Sequence, residues 1–159
     1  SELEEAFLLG TIIKYSGGVF VERRGRARLL RDMEGITGML DLGLNVVLFP
    51  EGTTSDGSGV SPFKSSFLAA AEGREVVPLC IKYKSVNGRS ITPETAPLVY
   101  YYGETTFFEH FFGFMGLRSV TTELTVLEPI DTDGLSRKDI ADIAHRRISA
   151  SYLGDTRRD

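Results

Sequence analysis

Short apolar runs that stop abruptly in polar segments, with stretches of helical period between them, constrain this chain more than any other feature. The run Gly-Val-Phe-Val at residues 18–21 ends in Glu22, Arg23 and Arg24, and the run at residues 45–49 ends in Pro50 and a glycine-rich polar loop that lasts to Ser61. Between them Leu29, Met33, Ile36, Met39 and Leu40 recur at helical spacing, and Gly43 closes the period. Ahead of the first run, Ser1 and Glu4 have capping-box spacing, and Leu3, Ala6, Phe7, Gly10 and Ile13 continue as one helical face. Strands that alternate with amphipathic helices define an α/β domain.

The second half adds strands with less helix between them. Ser61 and Pro62 begin a helix that is expected to run to about Glu72, because proline is preorganised for a first helical position. Residues 76–83 read as a strand, with Pro78 inside it marking a sheet edge or a bulge. Asn87-Gly88 is a hairpin turn signal, residues 98–102 are strand-like, and Val120, Thr122, Leu124 and Val126 alternate as a half-buried strand. Ser136 with Asp139 caps a last helix whose Ile140, Ile143, Ala144 and Ile148 face a core. The expected fold is α/β, a mixed and mostly parallel sheet flanked by helices. At 159 residues, without repeats or linkers, the chain is expected to form a single domain over residues 1–159.

Charge narrows the function classes. Eighteen basic against 22 acidic side chains give a net charge of −4, which argues against general nucleic-acid binding. The single cysteine, Cys80, has no internal partner and sits in an apolar run, where a thiol packs as a small hydrophobe. No apolar stretch approaches the ~18 residues of a bilayer span. Neither histidine has the neighbours a transition-metal site needs, and both the hydrolase elbow Gly-x-Ser-x-Gly and the phosphate-binding Gly-x4-Gly-Lys-Ser/Thr pattern are absent.

Chemistry concentrates in residues 47–57, Val-Leu-Phe-Pro-Glu-Gly-Thr-Thr-Ser-Asp-Gly. An apolar strand there delivers the chain to the carboxyl edge of a sheet, where open α/β folds bind ligands. Gly52 and Gly57 let the backbone approach a ligand, successive N–H groups can cradle an anion, and Thr53, Thr54 and Ser55 add hydroxyls. The same composition also suits a solvated turn. Arg23 leaves the earlier strand in the same manner and is suited to bidentate phosphate binding, with Arg24, Arg26, Arg28 and Arg31 close behind it. Glu51 and Asp56 leave a third reading open, an acid/base pair of a hydrolase.

These segments resemble the 1-acylglycerol-3-phosphate acyltransferases, a family of glycerolipid acyltransferases. Residues 18–23 resemble its Gly-x-Phe-Ile-x-Arg block, Phe49 to Ser55 its Phe-Pro-Glu-Gly-Thr-Arg-Ser block, and Val76-Val77-Pro78-Leu79 its apolar block centred on proline. The resemblance implies transfer of a fatty acyl group from an acyl thioester, on coenzyme A or acyl-carrier protein, to a lysophospholipid acceptor, with no resident cofactor. It implies substrate-binding roles for Phe20, Arg23, Glu51, Gly52, Thr53, Thr54, Ser55 and Pro78, and a membrane surface as partner on the cytoplasmic side, reached peripherally or through anchoring segments outside this chain.

Two departures matter. Thr54 stands where the family has arginine, leaving Lys64 or an arginine of the upstream cluster to supply the cation. The family's His-x4-Asp, whose histidine takes the acceptor's proton, is missing: Met115 stands five residues after His110, and Ala150 five after His145. That block is expected upstream of Ser1. The chain by itself is then expected to be inactive, the alternative being a non-catalytic phosphate or lipid-head-group binding module.

Residues 106–116 hold five phenylalanines and a methionine. As a helix they place Phe107, Phe108, Phe111, Phe112 and Met115 in one apolar stripe, either as core or as a lipid-facing element.

Overall fold

The computed structural model describes residues 26–154 and divides the chain into two compact units, residues 1–48 and 49–159. The expected first helix and the strand at 18–21 lie outside the described residues.

In the first unit, helix α1 spans Arg26–Asp41 and buries Met33 and Ile36, three apart on one face. Gly43 ends it at φ 77, where glycine has no side-chain penalty. The Gly43 N–H reaches Leu40 O at 2.9 Å and the Leu44 N–H reaches Met39 O at 3.1 Å, which satisfies two of the last carbonyls. The strand expected at 45–49 does not form. This segment joins no ladder among the described residues and exposes Val47 and Phe49, while its expected neighbour at 18–21 lies outside them.

The second unit contains the rest. After the loop comes a 3-10 helix at Ser65–Ala71, later and tighter than the helix expected from Pro62. Residues three apart eclipse in such a helix, so Phe67 lies over Ala70 and Leu68 over Ala71, and these four are its buried residues. Strand β1 (Leu79–Val86) turns at Asn87-Gly88 into β2 (Arg89–Ser90), with φ of 51 and 75 at the two turn residues. That turn matches the right-handed twist of the strands it joins. Helix α2 (Ala96–Val99), helix α3 (Phe107–Met115), strand β3 (Val120–Val126) and helix α4 (Arg137–Gly154) complete the unit.

The sheet order is β2-β1-β3, and both pairings are antiparallel. The architecture is α/β with helices beside the sheet, but the mostly parallel arrangement is not what the described strands form. A two-residue turn between β1 and β2 permits only the antiparallel sense. Pro78 precedes β1, between the Val76↔Ile130 bridge and the ladder, where its missing N–H costs no sheet hydrogen bond. β1 is the central strand, so Pro78 marks a strand entrance and not a sheet edge. Leu98 and Val99 are corrected from strand to the end of α2, because Pro97 presets a helical φ in its first turn, and residues 100–102 join no ladder among the described residues.

Helix α4 packs on the 3-10 helix and on β1, burying Ile140, Ala141 and Ala144 near Phe67, Leu68 and Cys80 in one core. Ser136 and Asp139 form its expected cap, with Ser136 Oγ donating to Asp139 Oδ2 at 2.6 Å. The fully buried Thr132 hydroxyl donates to Ala71 O at 2.9 Å and accepts from the Arg74 N–H at 2.7 Å, tying the approach to α4 to the end of the 3-10 helix. On the opposite face of the sheet, Ile81 and its cross-strand partner Leu124 remain exposed, as do Val77 and Val126.

Candidate functional site

The loop from Phe49 to Ser61 carries five of the expected site residues: Glu51, Gly52, Thr53, Thr54 and Ser55. It opens with a tight turn in which the Gly52 N–H reaches Phe49 O at 3.1 Å. Gly52 sits at φ 63, and a Cβ there would fall 2.8 Å from the Phe67 ring and 3.0 Å from Lys64 Nζ. Only glycine fits. The same geometry brings the Lys64 ammonium to the backbone of the site, and the Lys64 N–H fixes Pro50 O at 2.8 Å. Thr53 and Thr54 are exposed at the mouth, while Glu51, Gly52 and Ser55 are half-buried.

The loop's carboxylates are taken up by backbone. Glu51 Oε2 accepts the Ser61 N–H at 2.7 Å, closing the loop on itself. Asp56 Oδ1 accepts the Ser58 N–H at 2.9 Å, and Ser58 holds the Asp56 carboxyl below its ordinary range. Both therefore shape the loop.

Helix α4 pins the far side of the loop. Tyr152 Oη donates to Gly57 O at 2.6 Å; burial first, then the neighbouring Tyr100 hydroxyl, raises the Tyr152 pKa well above its ordinary value, so that the donor proton stays in place. Gly57 has φ 78, and a Cβ there would fall within the Tyr100 ring. His145 Nε2 lies 3.1 Å from Val60 O; a carbonyl only accepts, so this nitrogen carries the hydrogen. The His145 ring also packs edge-on against Phe63 at 5.1 Å. Tyr100, His145 and Tyr152 were not among the residues singled out from the sequence. They stand 43 to 95 positions from their partners in the loop, and no local pattern announces such contacts.

The other expected residues fall elsewhere. Pro78 is buried at the entrance to β1, where its carbonyl accepts the Leu127 N–H at 3.0 Å. Phe20 and Arg23 lie outside the described residues. His110 sits among Tyr101 and Phe114 with Nε2 buried and unpartnered, and burial lowers its pKa. No group of three or more metal-ligating side chains gathers among the described residues.

What the arrangement offers is a rigid turn with two glycines at positive φ, exposed hydroxyls and one ammonium, suited to holding a small polar head group. The sequence pattern of the acyltransferase family matches residues 1–82, ending just after the site and Pro78. The lyso-ornithine lipid O-acyltransferase of Brucella abortus (strain 2308) is 32% identical, over 94% of this chain and 60% of its own length. That of Rhizobium meliloti (strain 1021) is 27% identical, over 93% of this chain and 54% of the relative. The human 1-acyl-sn-glycerol-3-phosphate acyltransferase beta is 29% identical, over 94% and 49%. The chain thus spans about half to three-fifths of the length of these relatives. No solved structure matches it. With the family pattern covering half of the chain, the Phe49–Ser55 motif included, the chain belongs to the acyltransferase family.

Proposed function

We propose that this chain is the acceptor-binding part of an O-acyltransferase that moves a fatty acyl group from an acyl thioester, on coenzyme A or a carrier protein, to the hydroxyl of a lyso-lipid. The observation that carries this reading is the loop at 49–61, where the family motif folds into a pinned turn with the Lys64 ammonium beside Gly52. The acceptor oxygen attacks the thioester carbonyl, its C–O bond forms as the C–S bond breaks, and the thiol departs with the proton. The base that relays this proton belongs to the His-x4-Asp block, which these 159 residues do not contain, so the chain alone binds without turnover. Phe20, Arg23 and Pro78 complete the proposed substrate contacts, in one domain working at the cytoplasmic face of a membrane.

Among acceptors, an amino-acid-linked lyso-lipid fits better than lysophosphatidate. Thr54 removes the arginine the family uses at this position, which leaves Lys64 as the cation seen at the loop. The loop thus carries one guanidinium fewer than the family's phosphate-binding set, and a singly charged head-group carboxylate asks for fewer cations than a dianionic phosphate. The relatives from Brucella abortus and Rhizobium meliloti are named for a lyso-ornithine lipid, in line with this choice.

The test is acyl transfer by a protein in which this chain is joined to a His-x4-Asp block. It should favour lyso-ornithine lipid over lysophosphatidate, and Thr54→Arg should move the kcat/KM ratio toward lysophosphatidate by about tenfold, the worth of a charged hydrogen bond. A wild-type preference for lysophosphatidate that Thr54→Arg leaves unchanged would remove the acceptor assignment.

A further inference from the structure

Helix α3 is apolar on both of its sides. Its inner side rests on Tyr101, with ring centroids 6.3 Å to Phe107 and 5.3 Å to His110, yet none of its nine residues is buried. On its outer side Phe108, Phe112 and Met115, spaced i, i+4 and i+7, are 53%, 67% and 65% exposed. An exposed apolar stripe on a helix calls for cover. The conformation does not depend on that cover, because Thr106 and Glu109 close a full capping box and the Phe108 and Phe112 rings already stack at 6.5 Å. The stripe is preformed.

Charge around the helix is segregated. Glu104 and Glu109 lie at its N-terminal end, and the Glu109 carboxylate is held by the Thr106 N–H and hydroxyl. At the other end Asn87 Oδ1 accepts the Arg118 N–H at 2.8 Å and the Ser119 N–H at 3.3 Å, so the chain leaving α3 is tied to the β1–β2 turn. The exposed Arg118 and Arg89 therefore flank the same end of the helix. An apolar stripe with cations beside it complements an anionic lipid surface, where phenylalanines enter the acyl boundary and guanidiniums meet phosphates. Nine residues make a helix of about 13 Å, too short to span a bilayer and suited to lying within its interface.

We propose that α3 inserts Phe108, Phe112 and Met115 into the head-group boundary of an anionic membrane, C-terminal end foremost, with Arg89 and Arg118 on lipid phosphates. The inference deepens the lyso-lipid reading by naming the surface that meets the bilayer. Its test reads lipid contact without turnover, so each idea fails separately.

The chain has no tryptophan, so Phe112→Trp provides a single reporter, with Phe108→Trp as the second variant if circular dichroism shows the first to be unfolded. Vesicles of equal phosphatidylglycerol and phosphatidylcholine should shift its emission to the blue, and lipids brominated near the carbonyl end of the chain should quench it. Adding Arg89→Gln and Arg118→Gln should weaken partitioning to these vesicles by about fivefold per arginine and leave that to pure phosphatidylcholine unchanged. No shift with either vesicle overturns the proposal. So does an emission already blue without lipid: a concentration-dependent shift would assign the face to a second copy, and a constant one to this chain itself.

Discussion

The loop at 49–61 and helix α3 solve opposite problems. The loop is polar and irregular, and its shape is imposed from a distance: by Lys64, by the Glu51 carboxylate on Ser61, and by Tyr152 and His145 reaching over from α4. Helix α3 is apolar and regular, and its shape is written into residues 106–116, from the Thr106–Glu109 box to the stacked rings. A head-group site needs fixed backbone donors, which a short polar loop cannot hold by itself. A lipid-facing element needs an ordered apolar stripe left uncovered, which local capping supplies. The family pattern ends at residue 82, yet two side chains that fix the site come from α4. Residues beyond the pattern thus help to shape the loop.

The largest effect that could break this contrast is at Gly57. Gly57→Ala forces a Cβ into the Tyr100 ring at a positive φ and should cost about 3 kcal/mol, the range of strained overpacking. Thermal unfolding checks it, and a change near zero would mean that the loop is not clamped. Tyr152→Phe keeps the ring and removes one donor from Gly57 O, so its cost should be about 1–2 kcal/mol. In the chain joined to a His-x4-Asp block it should raise KM for the lyso-lipid more than for the thioester. Equal changes in both would make Tyr152 an ordinary packing residue.

The smallest effect belongs to α3. Burial depresses the His110 pKa below its ordinary 6.5, so the unfolded chain takes up a proton first as the pH falls. This contribution to stability is full above 6.5, is lost as the pH falls through that value, and levels off below the folded pKa. Between about pH 7.5 and 5.5 the wild type should therefore lose slightly more stability than His110→Phe, by about a few tenths of a kcal/mol, because solvent reaches much of this half-buried residue and screens the effect. Parallel pH profiles would show that the ring is not packed as described.

What was legible in the sequence was local. Gly43 at the end of α1, the Asn87-Gly88 turn, the Ser136–Asp139 cap and the strand at 120–126 each follow from residues within a few positions of one another, whereas the half-burial expected of that strand does not hold, Leu124 and Val126 being exposed. Residues 98–102 misled because Leu-Val-Tyr-Tyr-Tyr has strand composition, while the Thr92–Thr95 turn and Pro97 start a helix just ahead of it. The run at 45–49 is apolar enough for a strand but pairs with none among the described residues, since a ladder depends on neighbours as well as composition. The motif at 49–55 was legible as chemistry. Its clamp was not, because Tyr152 lies 95 residues from Gly57 and His145 85 from Val60.

The central claim, that the loop holds the acceptor's head group, can be tested on this chain as it stands. Backbone amide shifts should be followed by NMR while a water-soluble short-chain lyso-ornithine lipid is titrated in. The largest saturable shifts should fall on Gly52, Thr53, Thr54, Ser55 and Gly57, with the Lys64 side chain following, and Lys64→Ala should weaken binding by about tenfold. Shifts confined to α3 or to the exposed face of the sheet, with the loop silent, would contradict the account.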